Sequence, residues 1–217
     1  MKKNNLILIV ILLMTATIMS CKKDTKDVSS VTTYPEMVLV GDQYMCIAKG
    51  TAYTEPGVTA TIGGAPVAYT TVGTVNSATP GVYILEYTAI NTEGFSQSAK
   101  RFVGVIAPDA AALNFSGNWK RTNGVMTTWT KSATHNGLYV NSNIGGVDPV
   151  ANPTFSYPVR MFNIKDSTLV IPLQPNPLGG DLYCTTVSLK PSVGLGQAKW
   201  VVMGSGYGTS VRTFDKQ

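Results

Sequence analysis

Beyond residue 30 the apolar residues fall in short runs, roughly four to eight long, bounded by Gly, Pro and Asn, and none of them repeats with a helical period. That spacing constrains the fold more than any other feature of the chain. Val82–Ala89, VYILEYTA, is the clearest case. Side chains alternate across a strand, so Val82, Ile84 and Glu86 take one face and Tyr83, Leu85 and Tyr87 the other. Such a chain builds sheets, and the expected class is all-β. One short helical turn is expected at Asp109–Leu113, with Asp109 capping it after Pro108.

The runs divide into two blocks. In residues 34–107, strands are expected at Met37–Val40, Tyr44–Ala48, Val58–Ile62, Val67–Val72, Val82–Ala89 and Ser98–Ile106. Gly63-Gly64 supplies a hairpin turn, because two glycines accept the positive φ it needs. Six or seven short strands in this span predict a small β-sandwich. In residues 108–217, Pro108–Ala112 reads as a hinge. Hairpins are expected around Asn123-Gly124 and Lys165-Asp166, and further strands at 137–141, 181–189, 198–203 and 209–214. About eight antiparallel strands joined in order would close into a barrel, which removes exposed edges.

The chain opens with a different kind of segment. Lys2 and Lys3 precede an apolar run from Leu6 to Met14, shorter than the ~20 residues needed to span a bilayer. A positive start before a short apolar stretch is the pattern of a signal peptide, here residues 1–20. Residues 21–33, polar and rich in Ser and Thr, read as a flexible tether. The formal net charge of +5 is concentrated in this region. From residue 28 on, 12 Lys and Arg stand against 10 Asp and Glu, a net +2, so nucleic acid has no electrostatic support as a partner.

Two resemblances follow from particular residues. Ile18-Met19-Ser20-Cys21 resembles the lipobox of bacterial lipoproteins, which implies that Cys21 is the lipidated first residue of the mature protein. The mixed-charge Cys21–Asp27 is similar to the surface-export signal of Bacteroidetes lipoproteins. An outer-membrane location, lipid-anchored and facing the cell surface, follows as an expectation. Gly81, Val82, Tyr83, Tyr87, Ala89, Asn91, Gly94, Arg101 and Val103 together resemble the immunoglobulin-like domains of bacterial surface proteins. The second block opens Ser116-Gly117-Asn118-Trp119-Lys120-Arg121. Gly-x-Trp with the late Arg212 resembles lipocalins, in which the Arg stacks on the Trp at one barrel end. The whole layout resembles two-domain Bacteroides-type lipoproteins with a lipocalin-like second half.

Candidate ligand-binding residues are the aromatics Trp119, Trp129, Tyr139, Tyr157, Trp200 and Tyr207, with Tyr183 beside them, whose flat faces suit sugar rings; the competing reading is that a barrel needs them for its core. Loops 141–153 and 174–180 are expected at barrel ends, where binding residues concentrate. His135, the only histidine, reads as a solvated turn residue. There is no His pair or Cys cluster for a metal, no Gly-x-Ser-x-Gly elbow and no cofactor motif. Cys46 and Cys184 read as small buried hydrophobes rather than a disulfide. The expectation is a non-catalytic envelope lipoprotein that binds glycan or protein. The alternatives are an assembly protein docking on an outer-membrane partner and a carrier of a small apolar ligand.

Overall fold

The computed structural model describes residues 32–175, 179–190, 196–204 and 206–217. Cys21, the signal peptide and most of the tether lie outside the described residues, as does Ser205. Tyr34–Gln217 forms one compact unit.

The first domain is a two-sheet sandwich. One sheet has the order β1-β3-β4, from Pro35–Leu39, Val58–Ile62 and Ala65–Pro66. The other has the order β2-β7-β6-β5, from Tyr44–Ala48, Ser96–Ile106, Gly81–Ile90 and Tyr69–Val72. Leu85, Tyr87 and Ala89 face the inside, as the alternation of VYILEYTA predicts, and all three are buried. β6 and β7 pair antiparallel without a break from Gly81↔Val105 to Ile90↔Ser96. β2 runs parallel to β7 and pairs only its second half, from Tyr44↔Phe102 to Ala48↔Ile106. The chain switches sheets at residues 40–43, between β1 and β2.

Arg101 holds that switch together. Its side chain is fully buried. Nε donates to Glu55 Oε1 at 2.9 Å, and Nη2 donates to the carbonyls of Val40 at 2.8 Å and Gly57 at 3.0 Å. Nη1 donates to the Asp42 carbonyl. A guanidinium satisfies several carbonyls at once, which suits a crossing where no ladder can. Burial alone would raise the Glu55 carboxyl. Hydrogen bonds from the Tyr53 hydroxyl and the Gly57 N–H, with the Arg101 charge, outweigh it and hold Glu55 below the ordinary carboxylate value.

The second domain is a nine-stranded antiparallel meander in the order β12-β11-β10-β9-β8-β16-β15-β14-β13. β8 to β12 are Gly117–Arg121, Met126–Lys131, Leu138–Asn141, Val159–Lys165 and Thr168–Val170. β13 to β16 are Gln174–Pro175, Asp181–Lys190, Gln197–Met203 and Arg212–Lys216. First and last strands pair, from Phe214↔Arg121 to Lys216↔Trp119. The far margins approach where the Cys184 N–H donates to the Ile171 carbonyl at 3.5 Å, curling the sheet toward a barrel. The all-β expectation is met in both domains.

Two expectations about the connection are corrected. The helical turn is Pro108–Ala111, its N-cap is Ala107, and Asp109 makes no capping bond to the turn; its carboxylate accepts only from the adjacent Ala110 N–H. Nor is the connection a free hinge. The Ala107 N–H donates to the Ile164 carbonyl at 2.8 Å and Ala110 is buried, so the linker extends the β11 ladder.

The two domains share a second apolar core. Tyr44 and Phe102, on the outer face of the first domain's sheet, pack against Leu138 and Phe162 on the outside of the second, with Cys46, Val82 and Ile164 around them. Tyr44 and Phe102 stack at 4.9 Å. Gly104 permits this approach, since a Cβ there would lie 2.6 Å from Phe162 Cδ1 and 3.1 Å from Cys46 Sγ.

Candidate functional site: a cleft between the domains

Six of the seven aromatics singled out from the sequence are buried, between 0% and 8% exposed, while Tyr183 on β14 is 39% exposed. Trp119 stacks on Trp129 at 4.1 Å, Trp129 lies 5.8 Å from Trp200, and Trp200 stacks on Phe214 at 4.5 Å. This column fills the interior that a carrier would keep open. Trp119 Nε1 donates to the Phe115 carbonyl and the Tyr139 hydroxyl to the Leu113 carbonyl. Tyr157 and Tyr207 pack 6.3 Å apart in the same core. None of the six offers a face to solvent.

One barrel mouth is stoppered by the loop after β10. Ile144 is fully buried, and its carbonyl accepts from Trp200 Nε1 at 2.9 Å. The Gly145 carbonyl accepts from Arg121 Nη1 at 3.1 Å and from Arg212 Nε at 3.0 Å. The Gly146 carbonyl accepts from Arg121 and from Asn123 Nδ2, both at 3.1 Å. A Cβ at Gly145 would meet Tyr207 at 2.6 Å. The lipocalin-like role of Arg212 is therefore corrected: its guanidinium lies over Tyr207, 5.5 Å from the ring centre, while Trp119 stacks on Trp129. The stopper loop occupies the place that loop 141–153 was expected to offer a ligand.

The concave surface lies between the domains. A cleft of about 580 Å³ is lined from the first domain by Met37, Val38, Leu39, Gln43, Glu86 and Lys100, with Ser98, Ala99 and Phe102 beside them. The second domain contributes Leu173, Pro175 and Asp181. Val38 and Leu173 are 64% and 40% exposed. Glu86 and Lys100, paired across β6 and β7, stand 3.7 Å apart. Gln43 Nε2 donates to the Lys100 carbonyl at 3.2 Å.

Across the Asp42–Tyr44 ridge lies a smaller hollow of about 300 Å³, which holds His135. The reading of His135 as a solvated turn residue is corrected here. Its side chain is 16% exposed. Nδ1 accepts from the Cys46 N–H at 3.3 Å, so Nε2 carries the proton and donates to Asp42 Oδ2 at 3.0 Å. The ring joins the second domain to the free edge of β2, a contact between residues 89 apart in the chain. Arg160 lies over the Tyr44 ring at 4.7 Å on the same side.

Cys46 and Cys184 are free thiols. Burial pushes each up to about 12. No group of three or more His, Cys, Asp or Glu is placed to hold a metal among the described residues. Asp148 accepts from the Val150 N–H at 2.9 Å in its own turn, and Asp181 stands on the rim of the cleft.

The geometry can be set beside known proteins. Residues 37–105 match the family model described as "Bacterial surface protein, Ig-like domain". The first domain is thus an immunoglobulin-like domain of the bacterial surface-protein type, and the matched span runs from β1 through β7. Among solved structures, the chain is similar to the lipoprotein BT2262 from Bacteroides thetaiotaomicron, at 25% identity over 85% of this chain and 100% of that one, with a TM-score of 0.38. No curated protein matches the chain.

Of the residues that line the cleft, Pro175 falls in loop 174–180, which the sequence marked, and none is among the aromatic candidates. The signal that was available is local: Glu86 falls among apolar residues on the face of VYILEYTA opposite Leu85 and Tyr87. A charge on that face marks where apolar packing against a second domain stops.

Proposed function

We propose that the protein is a non-catalytic lipoprotein of the outer membrane, anchored through Cys21 and displayed at the cell surface, whose two-domain body binds a partner protein in the interdomain cleft. The cleft carries the reading: it has an apolar floor, a rim of Gln43, Glu86, Lys100 and Asp181, and walls drawn from both domains. Ligand sites occur preferentially at such domain junctions. The lipobox-like Ile18–Cys21 and the surface-protein domain at residues 37–105 support the envelope location. Absence of catalysis is supported by the state of the reactive groups. Both His135 ring nitrogens are engaged in joining the domains, and both thiols stay protonated at neutral pH. Protein is favoured over glycan in the cleft because all three tryptophans are spent on the core and the one aromatic lining the cleft, Phe102, is itself buried.

Two measurements test this reading. Metabolic labelling with a fatty-acid probe should mark the wild-type chain and leave Cys21→Ser unmarked; a label that persists in the variant refutes the anchor. A glycan array probed with residues 34–217 should retain nothing. A glycan retained by the wild type and lost in Leu173→Asp would make glycan the ligand instead.

A further inference from the structure

Sheet edges in this molecule are mostly managed. The outer edge of β2 is covered by the β9–β10 loop, whose His135 takes the Cys46 N–H. The margins of the second-domain sheet approach each other where the Cys184 N–H donates to the Ile171 carbonyl. Among the described residues, one edge in the middle of the first domain is left open. β7 is 11 residues long, and β2 pairs only with Phe102–Ile106. Among the described residues, the half from Ser96 to Arg101 is paired with β6 on one side alone.

The register says which backbone groups this leaves. The Phe102 N–H donates to the Gln43 carbonyl, away from β6, and the Lys100 carbonyl accepts from Gln43 on the same side. In an antiparallel ladder every second residue points both groups away from its partner. Without a bulge between β6 and β7, Ser98 and Ser96 therefore aim N–H and C=O toward the side that β2 has left. Among the described residues no hydrogen bond reaches the backbone of Ser96 or Ser98 from that side. Ser98, Ala99 and Lys100 all line the cleft, and so do Met37, Val38 and Leu39. Side chains of consecutive strand residues point opposite ways, so three in a row line a space only through the strand's edge. The cleft is thus bounded by two strand edges.

We propose that the cleft takes an extended segment of a partner polypeptide, which adds as a strand along the open edge of β7 at Ser96–Lys100. This rests on the reading of the cleft as the protein-binding site and specifies how the partner is held. Main-chain bonds to an exposed edge supply affinity, and alternate side chains supply specificity. Ser96 to Lys100 spans about 13 Å at ~3.3 Å per residue, enough for a partner segment of about five residues. One face of that segment meets Val38 and Leu173, so its inward positions are apolar. The rim carries Glu86 and Asp181 against the single cation Lys100, and Glu86 already pairs with Lys100. A basic residue at the Asp181 end completes the match.

The test starts from a displayed library of random heptapeptides, panned against the full chain purified in detergent. An enriched peptide is then measured by fluorescence anisotropy against variants. Ser98→Pro removes the central N–H of the open edge, between those of Ser96 and Lys100, and breaks no bond to β6; Ser98→Ala keeps it. The expected result is at least a tenfold weaker affinity for Ser98→Pro and no change for Ser98→Ala. Both variants should melt within a few degrees of wild type. N-methylation along the peptide should abolish binding at alternate positions only. Failure to enrich any peptide overturns the proposal, as does a peptide indifferent to Ser98→Pro. If Leu173→Asp weakens that indifferent peptide, the cleft remains the site and strand addition fails; if it does not, the cleft reading falls too. Concentration-dependent self-association that Ser98→Pro abolishes would make a second copy the occupant and overturn the partner assignment.

Discussion

Adding one methyl group to Gly104 tests whether the two domains act as one body. Gly104 has ordinary backbone geometry, so the effect of a side chain there is steric alone. A Cβ would sit 2.6 Å from Phe162 Cδ1 and 3.1 Å from Cys46 Sγ, inside the contact distance of both. Phe162 is fully buried between the domains. Overpacking of this kind costs about 1–3 kcal/mol. For a unit of this size, with ~2–4 °C lost per kcal/mol, Gly104→Ala should lower the midpoint by roughly 2–12 °C. Gly81→Ala is the control: it also lies on a sheet strand without positive φ, and its Cβ would meet Tyr83 at an ordinary 3.5 Å. Calorimetry on residues 34–217 should show one transition in the wild type and in Gly81→Ala, and a lowered or split transition in Gly104→Ala. Shortening the partner in Gly104→Ala/Phe162→Leu should recover part of the loss, with a coupling of at least about 0.5 kcal/mol. A single unshifted transition in Gly104→Ala would refute the account of the shared core.

Three further outcomes are expected. Arg101→Met should destabilise the first domain by about 3–5 kcal/mol, because it strands Glu55 and three carbonyls in a nearly closed site; urea unfolding measures it. Glu55 is held below its ordinary carboxylate value in the folded state, so its contribution is present above about pH 4.3, the unfolded value, and is lost as pH falls through the lower folded one. Wild type and Glu55→Gln should accordingly differ at pH 7 and converge in acid. Cys46 and Cys184, each held near 12, should resist iodoacetamide at pH 8 in the folded protein and react fully in urea, as followed by mass spectrometry of residues 34–217.

The elements were legible in the sequence because each is set by local pattern. Tyr44–Ala48 and Val58–Ile62 form with the bounds their runs suggest, and Asn123-Gly124 and Gly63-Gly64 turn the chain where their dipeptides predict. The site was not legible, because it depends on pairings remote in the chain. β7 carries an open half only because β2, 58 residues earlier, starts its parallel register at Phe102. His135 meets Asp42 across 93 residues. The aromatics misled for a related reason. Trp129 alternates with threonines in β9, which says that it takes one face of the sheet, but curling of the meander decides that this face is the interior. Arg101 looked like a family feature of a last strand. Its work at the sheet switch appears only when Val40, Asp42 and Gly57 converge on it.

Amide hydrogen exchange along β7 in the unbound protein tests the open edge directly. The amides of Gln97 and Ala99 point into the β6 ladder and should be protected by several orders of magnitude, while that of Ser98, between them, should exchange at close to the rate of an exposed loop. A Ser98 amide as slow as its two neighbours would mean that the edge is already occupied and would contradict the account.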